Sequence, residues 1–232
     1  MGTRVKKNLY KEKSPEVIKK KGKLAKPHSG KAATGSYRII GGTWRSRRLS
    51  FPAIEGLRPT TDSVRETLFN WLASEIQGAR VLDLFAGSGA LGIEALSRGA
   101  GALLAIEKDK RAWRALSANL ELLLPDPAAR KQISVVCHDA LAFLAASRQQ
   151  NNNSLGEKPL SYDLIFLDPP FRKDLLEQTL TLLDQHPLMN PSALIYIERE
   201  KEMANLMLPK NWRLLKEKVA GQVHYQLFRR EN

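Results

Sequence analysis

Cysteine is almost absent: Cys137 is the only one in 232 residues. That excludes an internal disulfide and any zinc site built on cysteine pairs. No apolar run approaches the ~18 residues that a membrane-spanning helix needs, and no apolar core follows the lysines near the amino terminus as it would in a secretory leader. A reducing, cytoplasmic setting without membrane contact is therefore expected. Acidic side chains are scarce in one stretch, since residues 1–35 hold eleven Lys and Arg against Glu12 and Glu16 alone. Apolar and aromatic residues are scarce there too, so the segment cannot bury enough surface to offset its own ordering, and a disordered basic tail is expected.

The formal net charge of +13 is accordingly uneven. Residues 36–80 carry a surplus of three positive charges and residues 81–232 a surplus of one. A basic arm on a nearly neutral body is the footprint of a polyanion binder, or else a solvated lysine tail without a specific partner. Three parts are expected: the tail at 1–35, an extension of hairpin and helix at 36–78, and a main domain at 79–232. In residues 36–51, two short strands flank Gly41-Gly42. Arg38, Arg45, Arg47 and Arg48 interleave there with Tyr37, Trp44 and Phe51. This mixture suits phosphate contacts plus base stacking, and equally a plain hairpin with a wet, basic face. Residues 62–77 predict an amphipathic helix, with Val64, Leu68, Trp71, Leu72 and Ile76 on one face. Ser63 with Glu66 fits a capping box, and Asp62 competes as the cap.

From residue 79 the pattern alternates. Apolar strands are predicted at 80–85, 102–107, 132–137, 162–167, 193–198, 212–219 and 222–229. Helical stretches fall at about 90–98, 109–123, 139–147, 172–186 and 200–207. Such alternation predicts an α/β fold, a doubly wound and mostly parallel seven-stranded sheet. The last two strands, separated only by Ala220-Gly221, predict a terminal hairpin and hence one antiparallel strand. The polar loop at 148–160 carries no evident chemistry.

The chemistry gathers where strands end. Residues 162–171 form an apolar strand that stops at Asp168-Pro169-Pro170-Phe171, because neither proline has an N–H to continue a ladder. A carboxylate, a carbonyl and an aromatic face remain at one strand end, the groups needed to hold a planar amino-bearing molecule; a solvated aspartate before a proline turn gives the same letters. The first strand of the main domain leads into Asp83-Leu84-Phe85-Ala86-Gly87-Ser88-Gly89. Gly87, Gly89 and Gly92 also match the dinucleotide fingerprint, with Glu107 twenty residues after Gly87, so a nicotinamide-dependent oxidoreductase is a real alternative. Asp83 argues against it, since a pyrophosphate beside a partly buried carboxylate is costly. A ligand bearing an ammonium and a sulfonium, such as S-adenosylmethionine, gains from the same charge. Glu107 can take ribose hydroxyls in either case. Asp139 can accept from an adenine amino group or simply cap a helix. Asp83, Glu107, Asp139 and Asp168 thus mark the carboxyl ends of four successive strands, the edge where open α/β sheets bind ligands.

These residues carry a resemblance. Asp83 to Gly89 resembles the first motif of class I S-adenosylmethionine-dependent methyltransferases, and Leu167 to Phe171 resembles the catalytic motif of their amino-methylating branch. With Arg38-Ile39-Ile40-Gly41-Gly42 and the run from Leu57 through Arg58, Pro59, Thr60, Thr61, Asp62 and Arg65 to Asn70, the pattern resembles the bacterial 16S rRNA guanine-N2 methyltransferases of the RsmD type, over about residues 36–232. The resemblance implies a Rossmann-like monomer with S-adenosylmethionine as cofactor. Its partner would be 16S rRNA or the assembling small subunit, and its target the guanine at position 966 in standard rRNA numbering. Catalytic candidates are Asp168, Pro169, Pro170 and Phe171. Cofactor candidates are Asp83, Phe85, Ala86, Gly87, Ser88, Gly89, Glu107, Lys108, Asp139 and Ala140. Substrate candidates are Arg38, Arg45, Arg47, Arg48, Arg58, Thr61 and Arg65. No metal site is expected. The same tetrad fits DNA adenine or a protein glutamine amide, and a non-catalytic RNA-binding factor on this fold is a further alternative.

Overall fold

Residues 34–151, 161–171, 174–184, 186–203 and 206–231 are described by the computed structural model. The basic tail up to residue 33 and residues 152–160 of the polar loop lie outside the described residues. The extension begins with an antiparallel hairpin of β1 (Thr34–Arg38) and β2 (Arg48–Pro52), in register Tyr37↔Leu49 and Arg38↔Arg48. Its two-residue period puts Tyr37, Leu49 and Phe51 on one buried face and Arg38 and Arg48 on the other. Residues 39–47 join the strands as a longer loop rather than a tight turn at Gly41-Gly42. They lie against the helix that later carries Ser97, whose carbonyl accepts from Thr43 N at 2.7 Å and whose hydroxyl accepts from Trp44 N at 3.0 Å.

Helix α1 (Asp62–Trp71) buries Val64, Arg65, Leu68 and Phe69. Its cap differs from the expectation: the Thr61 side chain accepts from Val64 N, because the Asp62 carboxylate is already held by Arg38 and Arg65. The helix also stops at Trp71 rather than at residue 77. Leu72 and Ile76 still pack into the core through a following turn, and Trp71 stacks on Tyr225 with ring centroids 5.4 Å apart.

The main sheet follows with β3 (Arg80–Asp83), α2 (Ala90–Ser97), β4 (Ala102–Glu107), α3 (Lys110–Leu123), β5 (Ile133–Cys137), α4 (Ala140–Asn151), β6 (Tyr162–Leu167), α5 (Leu175–Leu183), β7 (Met189–Glu200), β8 (Trp212–Ala220) and β9 (Val223–Arg230). Strand order is β5-β4-β3-β6-β7-β9-β8. Five strands run parallel, and β9 inserts antiparallel between β7 and β8. Each central strand is apolar on both faces because each face is covered. Val81, Leu103, Leu164, Phe166 and Tyr196 join the core with the hairpin, α1, α2 and α3. Leu82, Ile106, Ile165, Leu167, Ile195 and Ile197 join the core with α4 and α5.

Two expectations in the last third fail. Strand β7 starts at Met189, four residues early, and its pairing with β6 is irregular between Tyr162 and Leu164. Pro191 sits in that stretch without an N–H to donate. No helix forms among the described residues of 200–207. Lys201 N instead donates to Gln222 O at 2.9 Å, continuing the ladder toward β9, and Met203, Leu206 and Leu208 pack singly against the second core. In the preceding helical stretch, residues 172, 173 and 185 lie outside the described residues, as do 204 and 205 here.

Candidate active site

The strand order turns four separate sequence positions into one row. Read along the carboxyl edge, the acids run Asp139 after β5, Glu107 on β4, Asp83 on β3 and Asp168 after β6. A fifth follows: Glu198 on β7, one residue past Ile197, which pairs with Leu167 just as Glu198 lies level with Asp168. The chain builds outward from β3 in both directions, so the crevice opens between β3 and β6, the switch point at which such sheets bind ligands. A cavity of about 240 Å³ lies at the opposite edge, lined by Gly78, Asp163, Asn190 and Ser192. Asp163 is engaged there with Arg80 N and the Asn190 amide, so its carboxylate is structural.

The glycine loop is fixed from both sides. Leu84 N donates to Phe166 O and Ala86 N to Ile106 O, which extends the sheet's bonding into the turn. Gly87 and Gly89 take left-handed φ of 54° and 81°. At Gly89, the N-cap of α2, the left-handed backbone disfavours any side chain, and a Cβ would also stand 2.2 Å from Leu116 Cδ1. Glu107 accepts from Gly87 N at 2.8 Å and from Asp109 N at 2.6 Å, bracing the loop against β4. Ser88 is buried, and its carbonyl accepts from the Tyr37 hydroxyl at 3.1 Å, which bolts the hairpin to the loop. Phe85 is partly buried, Ala86 and Ala140 are buried, and Lys108 is exposed next to Glu107. Asp139 Oδ1 accepts from Leu141 N and Ala142 N, capping α4 and leaving its exposed second oxygen available.

Asp83 is only 1% exposed, and its Oδ1 has no hydrogen-bond partner among the described residues. Burial raises its pKa to about 7, with the nearby Asp168 charge adding to the effect, while N–H groups of Phe85 and Gly92 pull the other way. An unpartnered buried carboxylate oxygen beside a glycine turn is the environment that a cationic ammonium would complete. Asp168 is half-buried; burial raises its pKa to about 6, and the Thr60 hydroxyl at 3.3 Å from Oδ2 opposes the shift. Phe171 is 39% exposed, next to a shallow depression lined by Pro169, Pro170, Leu175, Glu198 and Met203.

The extension's residues divide. Arg45, Arg47, Arg48 and Arg58 are exposed, as is Thr61 beside the site. Arg38 is exposed but paired with Asp62 at 3.0 Å. Tyr37 and Phe51 are core residues, so of the three aromatics expected to stack only Trp44, which is partly buried, keeps exposed surface. Arg65, read as a substrate contact, is fully buried. It donates to Glu94, Asp62, the Thr60 carbonyl and the Arg38 carbonyl. Its role is to hold the Thr60 segment, and removing one partner of such a buried pair typically costs about 3–5 kcal/mol. Glu94, also buried, gathers Ile40 N, Gly41 N and Arg98 in addition. Sequence reasoning passed over Thr60 and Glu198, although Thr60 lies inside the Arg58-to-Asn70 run and Glu198 ends a predicted strand as Glu107 does.

Comparison with known proteins agrees with this geometry. The family described as Conserved hypothetical protein 95 matches residues 37–229. "Ribosomal RNA small subunit methyltransferase D" of Escherichia coli strain K12 is 48% identical over 209 residues, spanning 90% of this chain and 96% of that protein. The solved structure of the Escherichia coli protein yhhF is 45% identical with a TM-score of 0.72, covering 85% of this chain and 99% of that one. At 18% identity and a TM-score of 0.58, the crystal structure of SMU.776 complexed with SAH shares the fold, over 79% of this chain and 54% of that one. With the glycine turn, the unpartnered Asp83 oxygen and the acidic strand-end row in place, the chain belongs to the RsmD family of class I methyltransferases, whose cofactor is S-adenosylmethionine.

Proposed function

We propose that this protein methylates the exocyclic N2 amino group of a guanine in small-subunit rRNA, the guanine at position 966, by direct transfer. The observation that carries the reading is the Asp168-Pro169-Pro170-Phe171 strand end, set beside Asp83 at the switch point of the sheet. S-adenosylmethionine, when bound, supplies an electrophilic methyl group on a sulfonium. Asp83 would hold its ammonium, Glu107 would accept from the ribose hydroxyls, and Asp139 would accept from the adenine amino group. The target nitrogen has its lone pair delocalised into the ring and is a poor nucleophile. Asp168 and the Pro169 carbonyl accept from the amino group and favour the pyramidal nitrogen, an electrostatic effect usually worth several kcal/mol. In a direct transfer the amino nitrogen would gain the methyl carbon while the donor's carbon–sulfur electron pair would stay on sulfur. The displaced amino proton passes to Asp168 and then to water. Phe171 stacks on the base and orients it. The base is unpaired or flipped, because Watson–Crick pairing would occupy the nitrogen.

The test is to map methylated nucleotides in small-subunit rRNA from cells with and without this gene. Loss of one N2-methylguanine is expected; unchanged rRNA would sink the reading. In parallel, transfer of labelled methyl to rRNA, DNA and protein separates the base-N2 reading from adenine and glutamine acceptors.

The basic segment adds a second expectation. Deleting residues 1–35 removes a surplus of nine positive charges. RNA affinity should weaken and its salt dependence flatten, by roughly 0.7–0.9 in the slope of log K against log salt for each phosphate that the segment neutralises. Turnover at saturating RNA should persist. An unchanged slope would make the segment a solvated appendage.

A further inference from the structure

Asp168 has two carboxylate oxygens, and the fold occupies one of them. The Thr60 hydroxyl donates to Asp168 Oδ2 at 3.3 Å. Among the described residues nothing donates to Oδ1, and Asp168 makes no ion pair. The titratable groups that face Asp168 do not help its anion, for they are Asp83 on β3 and Tyr196 and Glu198 on β7. Neighbouring acids disfavour ionisation, whereas a hydrogen bond to the charged form favours it. The single hydrogen of Thr60 supplies that bond and leaves Oδ1 open to another donor.

Both ends of the bond are fixed. Thr60 is 8% exposed, follows Pro59 and precedes Thr61, whose side chain caps α1. Its carbonyl accepts from Arg65 Nε at 3.0 Å, and the buried Arg65 is held in turn by Glu94 at 3.2 Å and Asp62 at 2.6 Å. Branching at Cβ restricts the threonine rotamer. The same helix packs on the strand that leads to Asp168, since Phe69 meets Phe166 edge to face with ring centroids 6.2 Å apart. A distance of 3.3 Å is long for a hydroxyl donor, as bonds at catalytic groups often are before substrate binds. We propose that Thr60 is a positioning residue: by donating to Oδ2 it presents Oδ1 of an ionised Asp168 to the target amino group. The inference rests on the reading of Asp168 as the amino-group acceptor.

Thr60→Val keeps the shape and removes the hydroxyl, whereas Thr60→Ser keeps the hydroxyl. The valine variant should lose roughly tenfold in kcat near neutral pH, and the acid limb of its pH profile should move up by about one pH unit. The direction follows because burial raises Asp168 to about 6 and the Thr60 bond opposes that rise. The serine variant should stay within about threefold of wild type with its acid limb unmoved, and S-adenosylmethionine affinity should be unchanged in both. An unaltered kcat and acid limb in the valine variant would overturn the proposal. So would equal damage in the two variants, since packing and not the hydroxyl would then matter. NMR titration of the Asp168 carboxyl carbon without RNA, its signal assigned through Asp168→Asn, should show the same upward move in the valine variant, and an unmoved titration would overturn the proposal. Thr60→Ala serves the same comparison if the valine variant does not fold. If the wild type transfers no methyl to rRNA, the proposed function fails by itself, and the Asp168 titration still decides whether Thr60 holds that carboxylate.

Discussion

Replacing Asp168 with alanine should lower kcat by about 10²–10³-fold while leaving S-adenosylmethionine affinity within about threefold. Asp168 follows β6 immediately before two prolines, so the alanine variant should keep the backbone, the Pro169 carbonyl and Phe171 in place and remove only the side-chain acceptor. Cofactor affinity should hold because Asp83, Glu107 and Asp139 lie on the other side of the switch point, on β3, β4 and after β5. Single-turnover rates at saturating RNA, paired with calorimetric cofactor titration, separate the two effects. In the wild type, kcat should fall as pH drops through about 6, the value to which burial lifts Asp168, because only the ionised form accepts from the amino group. Near-normal turnover in the alanine variant would remove Asp168 from the chemistry.

Replacing Asp83 with asparagine should stabilise the cofactor-free protein at pH 8 and weaken S-adenosylmethionine binding by a hundredfold or more, on the order of the 3–5 kcal/mol for breaking a buried charge pair. The sign follows from the direction of the shift. The folded-state value of about 7 lies above the ordinary 3.8. The protonated folded form is therefore favoured: this stabilising contribution is complete below about pH 4 and is lost as pH rises through 7. At pH 8 the buried anion costs the apoprotein on the order of 4 kcal/mol relative to its protonated form. Asparagine carries no charge and keeps an oxygen for the Phe85 and Gly92 N–H groups, so it escapes that cost. Denaturant unfolding of the two proteins between pH 5 and 8 should give curves that diverge upward in pH. Parallel curves would mean that water or a neighbour already satisfies Asp83. On this reading stability is exchanged for affinity at one atom, Asp83 Oδ1, which has no hydrogen-bond partner among the described residues.

Much of this was legible because strands announce themselves by apolar runs, and the acids that end them interrupt those runs. Asp83, Glu107 and Asp168 needed no more than that. Glu198 obeys the same rule, but its strand continues to Glu200 and it is followed by Arg199 and Lys201, so it reads as part of a charged surface segment. Periodicity placed Val64, Leu68, Leu72 and Ile76 correctly. It could not show that Arg65 lies on the buried side, since that depends on Glu94 from a helix 29 residues away. Tyr37 and Phe51 look like stacking residues beside arginines, and only the hairpin's register assigns the aromatic and basic sets to opposite faces. The helix expected at 200–207 failed for a long-range reason, because Gln222 on the far side of a turn claims the Lys201 N–H. Strand order, the property that makes a row of the acids, is not written in any local pattern.

The pairing of β3 with β6 has a consequence for how the site comes into being. Val81, Leu82 and Asp83 bond to Leu164, Ile165 and Phe166, across two complete strand–helix units that go to the other side of the sheet. Asp83 and Asp168 are therefore brought together by one of the most non-local pairings in the chain, and loop closure over that span is slow to be repaid. A half-folded molecule with β3, β4 and β5 in place has a glycine turn but no Asp168-Pro169-Pro170-Phe171 segment beside it. Recovery of methyl transfer during refolding is thus a clock for the central seam of the sheet, and secondary structure will return before activity does.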